Sequence, residues 1–212
     1  VATANIVLHN NMVPIFVDVE KDTYNIDPSK IEQAITSRTK AIIYIDYGGN
    51  PSQHEKIFKI AKKYNLIVIN DAAQSLGAKK NGKNLGAFGH ISTMSFHMAK
   101  MITTIEGGMI FTNNQKYYNR ILALRNIGEP KNKKYIHEEI GTNARMTDLQ
   151  AAIGLAQFSK LNSFVKNRIK ISKLYIDLID KKKLPITLPI IKKKNVNAYF
   201  FFPILLDNRD SV

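Results

Sequence analysis

The chain predicts an α/β protein with a mostly parallel sheet covered by helices on both faces, and three observations carry that expectation. Short runs rich in Ile and Val alternate with polar segments of helical character. Gly, Asn and Pro punctuate the boundaries between them. The apolar fraction, 44% of 212 residues, is ample for a sizeable core.

The elements follow in order. Val13-Pro-Ile-Phe-Val-Asp-Val19 reads as a strand, and Asp27-Pro28 supplies an N-cap and a first-turn proline for a helix over Ser29–Thr36. Ala41-Ile-Ile-Tyr-Ile-Asp46 is a second buried strand, ended by Gly48-Gly49. Asn50-Pro51 opens a helix running through Ala61-Lys-Lys-Tyr64, and Leu66–Asn70 is the next strand. Gly82, Gly86 and Gly89 mark a hairpin-like stretch before a strand at Ser92–Phe96. Gly107-Gly108 leads into a strand at Met109–Thr112, followed by a helix at Gln115–Asn126. The polar, lysine-rich stretch from Gly128 to Gly141, with Pro130 inside it, is a long loop of the kind that often serves as a lid. From Asp148 one long amphipathic helix is expected, with Leu149, Ala152, Ile153, Ala156, Leu161, Phe164, Val165 and Ile169 as its core stripe. Leu184-Pro-Ile-Thr-Leu-Pro189 is a linker, and Asn197–Leu206 reads as the first strand of a second domain. The expected division is therefore 1–183 and 184–212.

Composition removes several classes of function. No apolar run approaches the roughly 18–20 residues needed to span a bilayer. Val1-Ala-Thr-Ala-Asn5 has neither a basic segment nor an apolar signal core, so secretion is not expected and a cytoplasmic location is. With no initiator Met, the chain is expected to begin mid-protein. The absence of Cys excludes a disulfide framework and a thiolate metal site. A formal charge of +14 invites a nucleic-acid reading, but the lysines are spread along the chain. The densest runs, Lys131–Lys134, Lys181–Lys183 and Lys192–Lys194, fall where solvated loops or helix ends are expected. A negatively charged small substrate would also benefit from that field.

Two short stretches carry the chemistry. Asp71-Ala-Ala-Gln74-Ser75 follows the apolar run Leu66–Ile69, which delivers a carboxylate at the C-terminal end of a buried strand, where open α/β sheets bind ligands. Ser95-Phe-His-Met-Ala-Lys100 puts a lysine just past another strand end. An acid and a lysine near one sheet edge suit a pyridoxal phosphate (PLP) enzyme, which needs an amine to form a Schiff base and an acid to keep the pyridine nitrogen protonated. Taken singly, Asp71 reads equally as an N-cap or ion-pair partner, and Lys100 as a solvated lysine. His97 is expected to pack or line the pocket without acid–base duty. His54 is expected on a surface helix, and His9, His90 and His137 lack companions at ligand spacing, so no metal site is expected.

These segments resemble the DegT/DnrJ/EryC1/StrS sugar aminotransferases of PLP fold type I. The resemblance includes Val1-Ala-Thr-Ala-Asn5, Phe16-Val-Asp-Val19, Ile26-Asp-Pro28, Thr39-Lys-Ala-Ile42, Asp71-Ala-Ala-Gln74, Ser95-Phe-x-x-x-Lys100, Glu106-Gly-Gly108 and Asn143-x-Arg-Met-Thr-Asp-Leu-Gln-Ala-Ala152. It implies a seven-stranded-type sheet. In it Lys100 is the lysine that bonds the cofactor and Asp71 the partner of the pyridine nitrogen. Gln74 lies on the side of the ring's phenolic oxygen, and Ser95 binds phosphate. Asn143 would reach the neighbouring subunit's cofactor phosphate, giving a homodimer with shared sites. Arg145 could meet an anionic group on the substrate or amino donor, or make a structural ion pair.

The resemblance further implies that a phosphate loop and a ring-stacking aromatic fall upstream of Val1, and that only the start of the small domain is present. Departures occur at Ala144, where the family usually has an aromatic residue, and at Asp46-Tyr-Gly-Gly49, where a His/Leu/Tyr-Gly form is commoner. Members with His in place of the lysine are sugar dehydratases, so Lys100 favours amino transfer. Similarity is strongest to perosamine-synthetase-type members, which implies a nucleotide-linked 4-keto-6-deoxy sugar as acceptor and glutamate as donor. The rival from another class is a non-catalytic, basic nucleic-acid-binding or regulatory protein on the same fold.

Overall fold

Alternation along two neighbouring strands sets the main layer. In β1 (Ala41–Ile45) and β2 (Ile67–Asp71), Ile42, Tyr44, Val68 and Asn70 are buried while the residues between them are partly exposed. The computed structural model, which describes residues 1–207 and 209, packs Ile57, Ile60 and Ala61 of α3 (His54–Lys63) against that buried face. Ile31, at the end of the short helix α2 (Pro28–Ile31), completes the cluster. Ile57 and Val68 are fully buried, each contributing about 1.5–3 kcal/mol. As the sequence predicts, Asp27 caps α2, its Oδ1 accepting from Ser29 N at 2.9 Å.

The sheet has the order β1–β2–β5–β6, with β5 at Ile91–Ser95 and β6 at Gly108–Phe111. The first three strands run parallel and β6 is antiparallel to β5. A small antiparallel sheet joins β3 (Lys79–Lys80) to β4 (Lys83–Asn84), as the glycine pattern suggests, and to β7 (Asn195–Val196). The remaining helices are α1 (Ala2–His9), α4 (Gln115–Arg125), α5 (Asp148–Phe158) and α6 (Leu161–Lys182). Among the described residues, none of these helices is long and apolar enough to cross a membrane.

Four expectations need correction. Val13–Val19 is not a strand: apart from a bridge between Val19 and Ile26 it has no sheet neighbour, and Val13 and Phe16 are 79% and 80% exposed. Pro14 lacks the N–H that a ladder would use. The single helix from Asp148 is two helices. Ser159 Oγ donates back to Ala156 O at 2.9 Å, and the chain turns there before α6 begins. The stripe accordingly splits. Leu149 is exposed on α5, whereas Leu161 and Val165 on α6 join a second core cluster with Phe96, Met101 and Ile102. Asn197–Leu206 is not a strand either. Among the described residues of this segment Asn195–Val196 pairs in a sheet and Leu205 forms an isolated bridge with Thr187; the residues between fold back irregularly, burying Asn197 and Ala198. Finally, His54 is not on the surface; it is 1% exposed. The main sheet itself carries four strands among the described residues, with β1 and β6 at its two edges.

Candidate active site

The parallel register brings the acid and the serine to one side of the sheet. Asp71 ends β2 opposite Thr93 of β5, so Asp71, Thr93 and Ser95 share a face. Asn70, one residue earlier, points into the opposite, buried side. Asp71 is partly buried and held at both oxygens. Oδ2 accepts from the Thr3 hydroxyl at 2.6 Å and Oδ1 from Ala73 N at 3.1 Å. Sequence reasoning missed Thr3, although the residue lies inside one of the quoted motifs.

Lys100 follows β5 on a loop pinned at both sides. Phe96 N donates to Gly107 O at 2.8 Å and Thr104 N to Phe96 O at 2.9 Å. Met101 and Ile102, directly after the lysine, are buried in the second core cluster, which anchors the loop. Lys100 Nζ lies 4.9 Å from the centroid of the Phe200 ring. Among the described residues no carboxylate pairs with this amine. Phe200 was also missed, because a sequence cannot reveal that the segment after β7 folds back over the lysine. Ser95 is partly buried and its Oγ accepts from His97 N at 3.3 Å. His97 is half-exposed beside the lysine loop; its Nδ1 accepts from Ala99 N at 3.1 Å and its Nε2 stands 3.7 Å from Glu106 Oε1.

Gln74 reaches the turn after β1. Its Oε1 accepts from Gly48 N at 2.8 Å, which leaves the amide NH2 as the donor it can offer a ligand. Gly48 has φ 61° and Gly49 φ 91°, conformations that L side chains rarely adopt, and a Cβ at Gly49 would stand 3.0 Å from Asn197 Oδ1. On its other side the turn binds the returning segment, Phe200 N donating to Gly48 O at 2.9 Å. Asn143 and Arg145 stand apart from this group. Asn143 pairs with Asn126 as an isolated antiparallel bridge, Arg145 Nη1 donates to Asn126 Oδ1, and both residues are exposed. Arg145 makes no ion pair among the described residues.

One sheet edge therefore combines a carboxylate, a hydroxyl, an amide NH2 and an amine with no anionic partner. That donor set matches a small aromatic heterocycle bearing a cationic nitrogen, a phenolic oxygen, an aldehyde and a phosphate. The fold is of the aminotransferase type, and this donor set is compatible with it. The chain belongs to the DegT/DnrJ/EryC1/StrS aminotransferase family, whose model matches residues 1–212. It is 42% identical over 175 residues to a GDP-perosamine synthase of Escherichia coli, covering 82% of this chain and 48% of that protein. It resembles a solved DegT/DnrJ/EryC1/StrS aminotransferase from Brucella abortus with a TM-score of 0.92 and 31% identity, over 99% of this chain and 57% of that one. A Bacillus subtilis structure, NtdA with bound cofactor PMP, matches with a TM-score of 0.87 and 34% identity over 99% of this chain and 48% of that one. The chain thus spans about half the length of the relatives it matches.

Proposed function

We propose that this chain supplies the cofactor-binding part of a PLP-dependent aminotransferase that carries an amino group from glutamate to a nucleotide-linked 4-keto-6-deoxy sugar. The observation that carries the reading is the shared sheet edge. Asp71 and Ser95 lie on one face of neighbouring strands, and Lys100 follows on a pinned loop. The perosamine-synthase relative supports the choice of sugar class, and the PMP-bound neighbour supports the cofactor.

In this reading Asp71, already bonded by Thr3 and Ala73, holds its carboxylate against the pyridine nitrogen of PLP. Gln74 donates its amide NH2 to the phenolic oxygen, and Ser95 donates its hydroxyl to the phosphate. When bound, the cofactor supplies an electron sink for the charge that develops at the reacting carbon. Lys100 is the amine that bonds the cofactor aldehyde. Its Nζ would serve as the general base and acid that moves the proton at the donor's Cα. Phe200, against Lys100, excludes water from that amine on one side. Asn143 serves the phosphate site of a second copy, which makes the enzyme a homodimer with composite sites, and Arg145 meets an anionic group of the substrate. Residues 1–183 form the large domain and 184–212 lead into a smaller one. The protein acts in the cytoplasm.

The test is direct. Borohydride treatment of the PLP-loaded protein should fix the cofactor on the peptide that carries Lys100, read by mass spectrometry. Lys100→Ala should lose glutamate-dependent turnover of a keto sugar by at least a thousandfold, the scale expected when a nucleophile and general base is removed. Undiminished turnover by Lys100→Ala would end the proposal.

A further inference from the structure

The turn that contacts Gln74 is held by a buried aspartate–histidine pair that the reaction does not use. Asp46, fully buried, follows β1 directly, and three N–H groups converge on its carboxylate. Ser52 N donates to Oδ1 at 2.8 Å, His54 Nε2 stands 2.9 Å from the same oxygen, and Asn70 Nδ2 lies 3.3 Å from Oδ2. The His54 ring is clamped between Phe88, stacked at 4.3 Å, and Tyr44 at 5.3 Å. Its Nδ1 has no partner, so the Nε2–H directed at Asp46 is the only polar contact the ring makes among the described residues.

This network closes the two ends of a loop. Asp46 enters the Tyr47–Asn50 turn and Ser52 leaves it, so the Asp46–Ser52 bond fixes the loop's span. Gly49 N donates to Asp46 O at 3.0 Å within it. The exit is secured a second time, Lys80 Nζ donating to Ser52 O at 2.9 Å and to Glu55 Oε2 at 2.5 Å. What the closed turn presents is the Gly48 N–H. A peptide N–H needs an acceptor, and Gln74 Oε1 provides it. An amide that commits its oxygen to Gly48 must turn its NH2 the other way. The opposite orientation would set two donors against each other and leave an acceptor at the cofactor side.

We infer that Asp46 and His54 are positioning residues for the cofactor site: by holding the Tyr47–Asn50 turn they determine that Gln74 offers a donor, not an acceptor, to the cofactor's phenolic oxygen. The inference rests on the PLP reading above. It also accounts for the departure at Asp46-Tyr-Gly-Gly49, since an aspartate here has its partner eight residues on at His54.

A double-mutant cycle on the whole protein tests this, read as the PLP dissociation constant from absorbance titration, with melting of the cofactor-free protein measured alongside. His54→Leu should weaken PLP binding about tenfold when Gln74 is present and less than twofold in a Gln74→Leu background. His54→Gln, which still presents an N–H, should restore affinity to within about threefold of wild type. Equal losses in both backgrounds, or no loss at all, would overturn the inference while leaving the PLP reading intact. A wild-type protein that does not bind PLP overturns both. Should His54→Leu fail to fold, Asp46→Asn carries the same comparison. It keeps the side-chain shape but replaces an acceptor with a donor, and the same two patterns decide the outcome.

Discussion

The Thr3 hydroxyl donates to Asp71 Oδ2 at 2.6 Å across 68 positions of sequence. The first turn of α1 is therefore tied to the carboxylate at the end of β2. A hydrogen bond to a charged group contributes about 1.5–3 kcal/mol, and it keeps Asp71 from rotating away from a ring nitrogen. Thr3→Val preserves shape and removes the donor. PLP affinity should fall by roughly tenfold or more, and Thr3→Ser should recover most of it. Titration of the cofactor-free protein with PLP checks both variants, and an unchanged Thr3→Val protein would show that the bond contributes nothing to the site.

The proposed sharing of active sites between two copies makes a complementation result predictable. Lys100→Ala and Asn143→Ala homodimers should each be nearly inactive. Mixed and allowed to exchange subunits, they should regain about a quarter of wild-type turnover, because half of the dimers are mixed and each mixed dimer has one intact site. Activity of the mixture equal to the sum of the separate proteins would mean that Asn143 serves its own subunit or none.

Tyr44 gives a pH signature. Burial, reinforced by the negative charges of Asp46 and Glu55, raises its phenol far above its ordinary pKa of about 10. The folded protein holds the neutral phenol while the unfolded chain ionises freely. Its contribution is therefore complete below about pH 10 and declines as pH rises beyond that value. The advantage of wild type over Tyr44→Phe should fall steadily from pH 9 to 11 and pass through zero, measured as urea midpoints, because the Phe variant lacks the titration. Near pH 8 the substitution should cost about 1 kcal/mol or less, since the hydroxyl's bond to Phe88 O is long at 3.4 Å. A pH-independent difference would contradict the burial argument.

Ile105 stores strain beside the lysine loop. Its φ of 71° is a left-handed conformation that a β-branched residue avoids, and the side chain is 53% exposed, so little packing offsets the cost. Ile105→Asn, which tolerates that conformation and could still take the same backbone bond to Thr103 Oγ1, should stabilise the protein by about 0.5–1 kcal/mol. Melting temperature should rise by roughly 1–4 °C. A fall in melting temperature would mean that the isoleucine contributes packing which its exposure does not suggest.

Much of this arrangement is legible in the residues themselves. Alternating apolar strands and polar helices announce a parallel α/β sheet. A sheet of that kind binds ligands at its carboxyl edge, so Asp71 and Lys100 could be placed there from position alone. The cap at Asp27 forms as its sequence suggests, but the long helix expected from Asp148 breaks at Ser159, whose hydroxyl bonds back to the helix. Val13–Val19 has the composition of a strand but, among the described residues, pairs only through the Val19–Ile26 bridge. His54 sits on a polar-looking helix, yet its contact with Asp46, eight residues earlier, holds it in the interior.

What the sequence determined by itself was the order of elements and the identity of the chemical groups, because periodicity, capping and strand-end position are local properties. Only the tertiary structure decided that Thr3 bonds Asp71, that Phe200 covers Lys100, and that the Asp46 turn orients the Gln74 amide. Each of those relations joins residues 26 to 100 positions apart, and a hydrogen bond or ring contact at that separation exists only once the sheet has set the register of its strands.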